Sequence, residues 1–198
     1  QSLTYDDRNN KLDPSSGYYF RFSQEFAGLG GDSRYLKHDI KSSYYYPITS
    51  KWRTSIMGSA GYIFGVGGRD VRINDRFFVG GDDLRGFRNS GIGPRDTETR
   101  DALGGNIYYT GTAELKFPLG LPEELGVSGA VFGDVGSLWK IDNAAIGVTD
   151  DSSPRVSFGA GVLWASPFGP IRIDFAHAFV KQDADQTENV RFSFGTRF

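Results

Sequence analysis

The stretch "NIYYTGTAELKF", Asn106–Phe117, alternates apolar and polar side chains with a period of two residues. Its apolar face carries Ile107, Tyr109, Ala113, Leu115 and Phe117, and its polar face carries Thr110, Thr112, Glu114 and Lys116. Successive side chains of a β-strand point to opposite faces of a sheet, whereas a helix repeats every 3.6 residues. The stretch therefore predicts a long strand with one face in apolar surroundings and one in polar surroundings.

The same two-residue period recurs along the chain. Seven further segments show it: Gly17–Phe26, Tyr35–Ile48, Trp52–Phe64, Gly126–Leu138, Arg155–Ala165, Ile171–Val180 and Asn189–Phe198. Together they predict eight strands of about 9–14 residues, with a strand stub at Ser2–Tyr5. We find no helical period, linker or second domain, so the sequence predicts one all-β unit.

Strand length separates two candidate architectures, a soluble sandwich and a membrane barrel. Sandwich strands run to about 5–6 residues, while a tilted strand crosses a bilayer in about 9–11. Aromatic residues also stand beside short turns, as at Trp52, Phe117 and Trp164, where an interface satisfies both the ring and its polar edge. The pattern favours an antiparallel transmembrane β-barrel over the sandwich.

Composition argues against several function classes. The 22 basic residues face 24 acidic ones with no basic patch, so no nucleic-acid partner is indicated. Cysteine is absent, which leaves no disulfide or thiolate site. The two histidines, His38 and His177, fall on apolar strand faces. We predict no catalytic residues, no metal site and no cofactor, and hence no enzyme.

The longest interruption of the strand pattern is residues 67–104, here called the arginine loop. It contains "GGDDLRGFRNSGIGPRD", Gly80–Asp96, which is too polar for a strand and too rich in glycine for a helix. Asp134 falls on the polar face of its strand, because Val131 and Val135 share the other face. From the residues alone, we expect Arg85 to be a solvated loop residue and Asp134 to meet another inward-facing basic residue such as Arg172.

A set of motifs in a fixed order carries a family resemblance. The blocks are "GGDDLRGFRNSGIGP", "GGNIYYTGTAELKFPL", "FGDVGSLW", "SFGAGVLWASPFGPIRIDFA" and "VRFSFGTRF". Together they resemble the C-terminal half of the BamA family barrel, and the likeness spans the chain from Ser2 to Phe198. The resemblance implies that the chain supplies the last eight strands of a sixteen-stranded barrel, and that the first strands and periplasmic POTRA modules lie outside it.

What the family does sets the functional expectation. The resemblance implies a bacterial outer-membrane factor that assembles and inserts other β-barrel proteins. Its implied partners are outer-membrane lipids, unfolded outer-membrane clients and, through the absent N-terminal modules, periplasmic lipoproteins of an assembly complex. Looser forms of the same motifs occur in relatives that secrete polypeptides. A secreting or translocating barrel, or a plain outer-membrane pore, is therefore the alternative.

The resemblance also assigns roles to residues of the arginine loop. It implies that the loop folds into the lumen with Leu84, Arg85, Gly86 and Phe87 at its tip, and that Arg85 pairs with Asp134. Leu84 stands where the family more often has valine, a conservative change. A guanidinium can bind a carboxylate through two parallel hydrogen bonds. Gly86 would permit close approach to the wall, and Phe87 would be an apolar anchor.

The last predicted strand, Asn189–Phe198, has an implied role of its own. Its apolar face carries Val190, Phe192, Phe194 and Phe198, and Gly195 can let the strand kink. The resemblance implies that this strand forms the barrel seam, where client strands add by backbone pairing. The same terminal pattern resembles the signal by which barrels enter this machinery.

Overall fold

In the computed structural model, residues 1–28, 33–142, 147–166 and 169–194 are described. The long strands are β2 (Gly17–Ala27), β3 (Tyr35–Pro47), β4 (Arg53–Gly65), β6 (Ile107–Pro118), β7 (Val127–Trp139), β9 (Arg155–Ser166) and β10 (Gly169–Val180). Shorter strands are β1 (Ser2–Asp6), β5 (Arg95–Asp96), β8 (Val148–Thr149) and β11 (Val190–Phe194). Two 3₁₀ turns, Ile73–Asp75 and Glu123–Leu125, complete the elements.

Nine of the described strands form one antiparallel sheet. Its order is β1-β2-β3-β4-β6-β7-β9-β10-β11. Each long strand pairs with the long strands that precede and follow it in the sequence. The short strands β5 and β8 pair only with each other, and this pair joins the arginine loop to the segment after β7. Seven of the predicted strands and the stub are therefore confirmed, and the last one, Asn189–Phe198, is confirmed over Val190–Phe194, since residues 195–198 lie outside the described part of the chain. The sheet is not closed, since β1 and β11 lie at opposite edges, as expected of half a barrel wall.

The two faces of the sheet differ in polarity. The outer face exposes large apolar side chains, among them Ile56, Val131, Phe158, Phe175 and Phe192. The opposite face, here called the inner face, carries buried polar groups such as Asp134, Arg172 and Asp174. In the described part of the chain, we find no helix that is both long and apolar enough to cross a membrane.

The buried apolar core lies on the inner face, between the wall and the arginine loop. The loop contributes Val79, Leu84, Phe87 and Ile92, and the wall contributes Tyr108, Leu138 and Ala178. These residues are nearly free of solvent contact, with Leu84 and Phe87 at 0% exposure. The loop thus has the packing of a core element, although its composition is that of a surface loop.

The connections divide between the two ends of the sheet. The arginine loop, the segment after β7 and the segment between β10 and β11 lie at one end, here called the loop end. Short turns at 48–52 and 119–126 lie at the other, the turn end, together with the longer connection 7–16 between β1 and β2. Apart from the connection 7–16, this division into long connections at one end and short ones at the other is typical of outer-membrane barrels.

Candidate functional site

The tip of the arginine loop meets the wall at Asp134. Arg85 Nε donates to Asp134 Oδ2 at 2.7 Å, and Arg85 Nη2 donates to Asp134 Oδ1 at 2.7 Å. The backbone N–H of Arg85 donates a third hydrogen bond to Oδ2 at 3.1 Å. The two side chains are 0% and 1% exposed. A bidentate pair of this kind fixes orientation as well as distance, so the structure places Arg85 on Asp134 and not in solvent.

The pair belongs to a larger group of charges, here called the lumen network: Arg85, Glu114, Asp134, Arg172 and Asp174. Arg85 Nη1 donates to Glu114 Oε2 at 2.8 Å. Arg172 donates to both oxygens of Glu114, at 3.0 and 2.7 Å, and through Nε to Asp174 at 2.8 and 2.7 Å. Glu114 is therefore shared by both arginines. Positively and negatively charged side chains thus alternate along a continuous chain of short hydrogen bonds, which connects β6, β7 and β10 to the loop tip.

An aromatic ring supports the two arginines from the wall. The guanidinium carbon of Arg85 lies 3.3 Å from the ring centroid of Phe132, and that of Arg172 lies at 5.7 Å. Arginine stacks on aromatic faces because its planar cation is weakly hydrated and attracted by the ring. Phe132 thus fills the space beneath the network with a surface that tolerates positive charge.

Small residues on the inner face of β9 make room for the network. A Cβ at Gly159 would come within 2.4 Å of the Phe132 ring, and a Cβ at Gly161 within 2.2 Å of Asp174 Oδ1. Ser157, on the same face, donates its hydroxyl hydrogen bond to the backbone carbonyl of Arg85. Gly159 and Gly161 thus leave a groove in β9 that is filled by Phe132 of β7 and Asp174 of β10.

The backbone at the loop tip requires glycine. Gly86 has φ +88°, in the region that side chains rarely adopt, and an added Cβ would lie 3.0 Å from the Cβ of Ser157. Only a residue without a side chain reaches the wall this closely at low cost. Leu84 and Phe87 flank the turn and bury completely in the core, so the four tip residues lie between the wall and the body of the loop.

Arg95 is a second buried arginine of the arginine loop, and it stabilises the fold of residues 90–100. Arg95 donates to the carbonyl of Arg100 at 2.9 Å and to the carbonyl of Ser90. Its exposure is 3%, and this burial lowers its pKa from the ordinary value, an effect that Asp185 and Asp101 oppose. Arg95 bonds to backbone carbonyls of its own loop, so its contribution is to loop shape.

The predicted seam residues divide between described and undescribed positions. Val190, Phe192 and Phe194 lie on the outer face of β11, and all three are exposed. Gly195 and Phe198 lie outside the described residues. β11 pairs with β10 over Ile171↔Phe194 to Phe175↔Val190 and is an edge of the described sheet. No group of side chains able to hold a metal ion occurs among the described residues.

The sequence does not predict that Glu114, Arg172 and Asp174 belong to one network with Arg85 and Asp134, or that Glu114 is a second partner of Arg85. Alternation predicts that Glu114 lies on the polar face of its strand and offers Arg172 as a partner for Asp134, but in the structure Arg172 binds Glu114. Asp174 had no signal beyond its place two residues after Arg172. The missing information is strand register, which sets Thr112 opposite Asp134 and Glu114 opposite Phe132. Alternation gives the face of a residue but not its height along the wall.

The fold and the site together define a class of protein. An antiparallel sheet with an apolar outer face, an inner face of buried charge and a loop anchored within it is part of the wall of a transmembrane β-barrel. The loop fills the space that the inner face borders.

Comparisons with known proteins narrow this class. The Omp85 superfamily domain matches residues 1–198. BamA of Neorickettsia risticii, an outer membrane protein assembly factor, is 43% identical over 194 residues, covering 96% of this chain and 26% of that protein. The BamA of Neisseria meningitidis is 26% identical over 96% of this chain and 28% of its own length.

A eukaryotic relative and a solved structure also match this chain. The mouse sorting and assembly machinery component 50 homolog is 30% identical over the whole of this chain and 44% of its own length. A crystal structure of BamA from Haemophilus ducreyi lacking POTRA domains 1–3 matches with a TM-score of 0.87 and 25% identity, over 98% of this chain and 41% of that one. The chain belongs to the Omp85 superfamily, within its BamA family of outer-membrane β-barrel proteins. It spans about a quarter of the length of the BamA relatives.

Proposed function

We propose that the protein to which this chain belongs assembles and inserts β-barrel proteins into the outer membrane of a bacterium. The observation that carries the proposal is the similarity along the whole chain to BamA proteins, whose name states this activity. The bacterial location rests on the same relatives. The match to sorting and assembly machinery components supports assembly as the shared activity.

The proposed mechanism uses backbone rather than covalent chemistry. β11 pairs along five residues with β10 and is the last strand of the described sheet. In a closed barrel its other edge would meet the first strand of the wall at the seam. An unpaired strand edge is costly in hydrocarbon and can pair with an incoming strand. A client strand would add to this edge, with its N–H and C=O groups satisfied as it enters the membrane. The exposed aromatic residues Phe192 and Phe194 would face lipid during this exchange.

The lumen network positions the loop for this activity. A buried ion pair adds little net stability, because desolvation offsets the attraction, but it can select one arrangement over others. Arg85 binds Asp134 through two side-chain hydrogen bonds and Glu114 through one. A loop displaced from the wall would therefore leave Asp134 buried without its cation and would leave Glu114 with Arg172 alone. We propose that the network keeps the loop tip in one place while the seam changes its pairing.

The proposed partners follow from the same reading. Outer-membrane lipids surround the apolar outer face, and unfolded barrel proteins are the clients at the seam. Periplasmic lipoproteins of an assembly complex would bind N-terminal modules and not this half of the wall. The activity needs no cofactor and makes or breaks no covalent bond in the client.

Reconstitution tests the proposal. The full-length protein is placed in lipid vesicles, and a urea-denatured outer-membrane barrel is added while folding is followed by its gel mobility without heating. We expect folding to proceed faster than in empty vesicles. Ion efflux without faster client folding would indicate the plain pore, and passage of a polypeptide into the vesicles would indicate the secretion alternative. Either result would overturn the proposal.

A variant at the predicted kink sharpens this test. Gly195→Val adds a β-branched side chain, which favours a straight and fully paired strand. If a kinked seam strand presents its edge to clients, the variant should slow client folding while the barrel itself still assembles. Unchanged folding rates would argue against a role for the kink.

A further inference from the structure

The arginine loop contacts the edge strand β11 as well as the wall. Arg191 of β11 donates through Nη2 to Glu188 Oε2 at 2.6 Å and to Asn89 Oδ1 at 3.1 Å. Its Nη1 lies 3.7 Å from Asp82 Oδ1. Ser193, two residues further on the same face, donates to Asp82 Oδ1 at 2.8 Å. Both inner-face side chains of β11 between Val190 and Phe194 are therefore held by the loop.

Backbone pairing joins the same two parts of the chain. Arg88 N–H donates to the carbonyl of Gln186 at 2.9 Å, and Gln186 N–H donates to that of Gly91 at 2.8 Å. Glu188 N–H donates to the carbonyl of Gly86 at 3.0 Å. The residues just before β11 thus run along the loop tip as a short extra strand pairing. Gly86 belongs to both the wall anchor and this pairing.

Gly81 lies where the loop packs against Arg191, and only a residue without a side chain fits there. A Cβ at Gly81 would lie 2.0 Å from Asn89 Oδ1 and 3.1 Å from Arg191 Nη2. The residue also has φ +67°, which glycine adopts without strain. Asn89 and Arg191 occupy the space that any other residue at this position would fill.

Exposure differs between this contact and the lumen network. The side chain of Asp82 is 53% exposed and that of Arg191 is 15% exposed. Ion pairs that remain in contact with water are weak, because water competes for both partners. The contact can therefore open and close at low cost, while the buried Arg85 anchor keeps the loop in place.

We propose that Asp82, Asn89, Arg191 and Ser193 form a latch by which the arginine loop holds the edge strand, with Arg191 as its positioning residue. A closed latch fixes the inner face of β11 to a loop that is itself fixed to β7. An open latch frees β11 to change its pairing. This inference rests on the proposed function, since it makes the latch a control on the strand that receives clients.

A reversible cross-link tests the latch in the full-length protein. Asp82→Cys with Ser193→Cys places two thiols where the native side chains already hydrogen-bond, and residues 1–198 contain no other cysteine. In the vesicle assay we expect oxidation to slow client folding about tenfold and reduction to restore it, since β11 can no longer leave the loop. Each single cysteine variant is the control and should be insensitive to oxidant.

The outcomes separate the latch from the proposed function. Client folding by the oxidised pair at the wild-type rate would overturn the latch and leave the assembly activity standing. Failure of the wild-type protein to fold clients would overturn the activity instead.

Hydrogen exchange gives a second, activity-independent readout. Arg191→Ala should speed amide exchange in residues 190–194 about tenfold, because loss of a charged hydrogen bond favours local opening, and should leave β7 unchanged. Arg21→Ala, at an exposed inner-face arginine of β2, is the matched control. Unchanged exchange in residues 190–194 would contradict the latch.

Discussion

Two connections reach the inner face from opposite ends of the sheet and are held there in different ways. At the loop end, Arg85 and Asp134 are 0% and 1% exposed. At the turn end, Asp13 of the segment 7–16 binds Arg53 Nη2 at 2.6 Å and Lys116 Nζ at 3.2 Å, but its side chain is 60% exposed. The ions are of the same kinds, and their access to water differs.

This difference decides what each contact does. Water screens the Asp13 contacts, so breaking them costs little and the segment 7–16 is tethered rather than fixed. Around Arg85, water cannot replace a lost partner, so an alternative loop position leaves unpaired buried charge. Burial therefore makes the loop-end contact a determinant of structure, and exposure makes the turn-end contact replaceable.

The largest predicted effect comes from removing the central cation. Arg85→Met keeps much of the side-chain volume but leaves Asp134 and Glu114 without it, at a cost of about 3–5 kcal/mol in the free energy of unfolding. Urea unfolding of the full-length barrel in detergent measures this cost. Arg21→Met, at an exposed arginine of the same face, should change it by less than about 0.5 kcal/mol. Equal effects of the two variants would contradict the conclusion that the buried arginine contributes more to stability than the exposed one.

An intermediate effect is expected in the groove of β9. Gly161→Ala puts a Cβ within 2.2 Å of Asp174 Oδ1, which displaces the carboxylate that Arg172 binds. Overpacking of this kind costs about 1–3 kcal/mol. Gly58→Ala is the matched control, because its nearest neighbour, the carbonyl oxygen of Thr110, lies at 3.7 Å, an ordinary contact. The same unfolding assay applies, and a harmless Gly161→Ala would show that the groove is not tightly filled.

The smallest effect is expected at Asp13. Burial raises the pKa of Asp13, but the nearby cations Lys116 and Arg53 outweigh it, so the pKa is lowered from 3.8. A lowered carboxylate pKa stabilises the folded state above the unfolded pKa, and the contribution is lost as the pH falls through the folded pKa. Asp13→Asn should therefore cost less than about 1 kcal/mol at neutral pH.

The pH dependence checks this assignment. The difference in Tm between wild type and Asp13→Asn should be small at pH 7 and should vanish at a pH below the lowered pKa. Added salt should also shrink the difference at pH 7, since the contact is exposed to screening. A large decrease in Tm that does not depend on salt would mean that the Asp13 contacts stabilise the fold as strongly as the Arg85–Asp134 pair does.

The sequence predicts the strands and their faces but not the contacts between distant strands. Alternation in segments such as Asn106–Phe117 predicted the strands and their faces, because the period of two depends on local geometry. It also placed Asp134 on the inner face. It could not show that Glu114 and Arg172 meet, since β7 and β9 lie between β6 and β10 and register across three pairings is a property of the whole sheet.

The composition of the arginine loop does not predict its burial either. A stretch with this many glycines, aspartates and arginines has the composition of a surface loop, and residue chemistry alone favoured a solvated Arg85. The family resemblance predicted the pairing with Asp134, and the structure places the two residues together. The role of that pair in assembly stays a prediction, as do those of Gly195 and Phe198, which lie outside the described residues.

A double-mutant cycle on Arg85 and Asp134 tests the central claim most directly. The free energy of unfolding of the full-length barrel is measured for wild type, Arg85→Ala, Asp134→Ala and the double variant. Direct contact at 2.7 Å predicts a coupling energy of about 1–3 kcal/mol, with the double variant less damaged than the sum of the singles. Additive effects of the two substitutions would contradict the account, because they would mean that Arg85 is not anchored by Asp134.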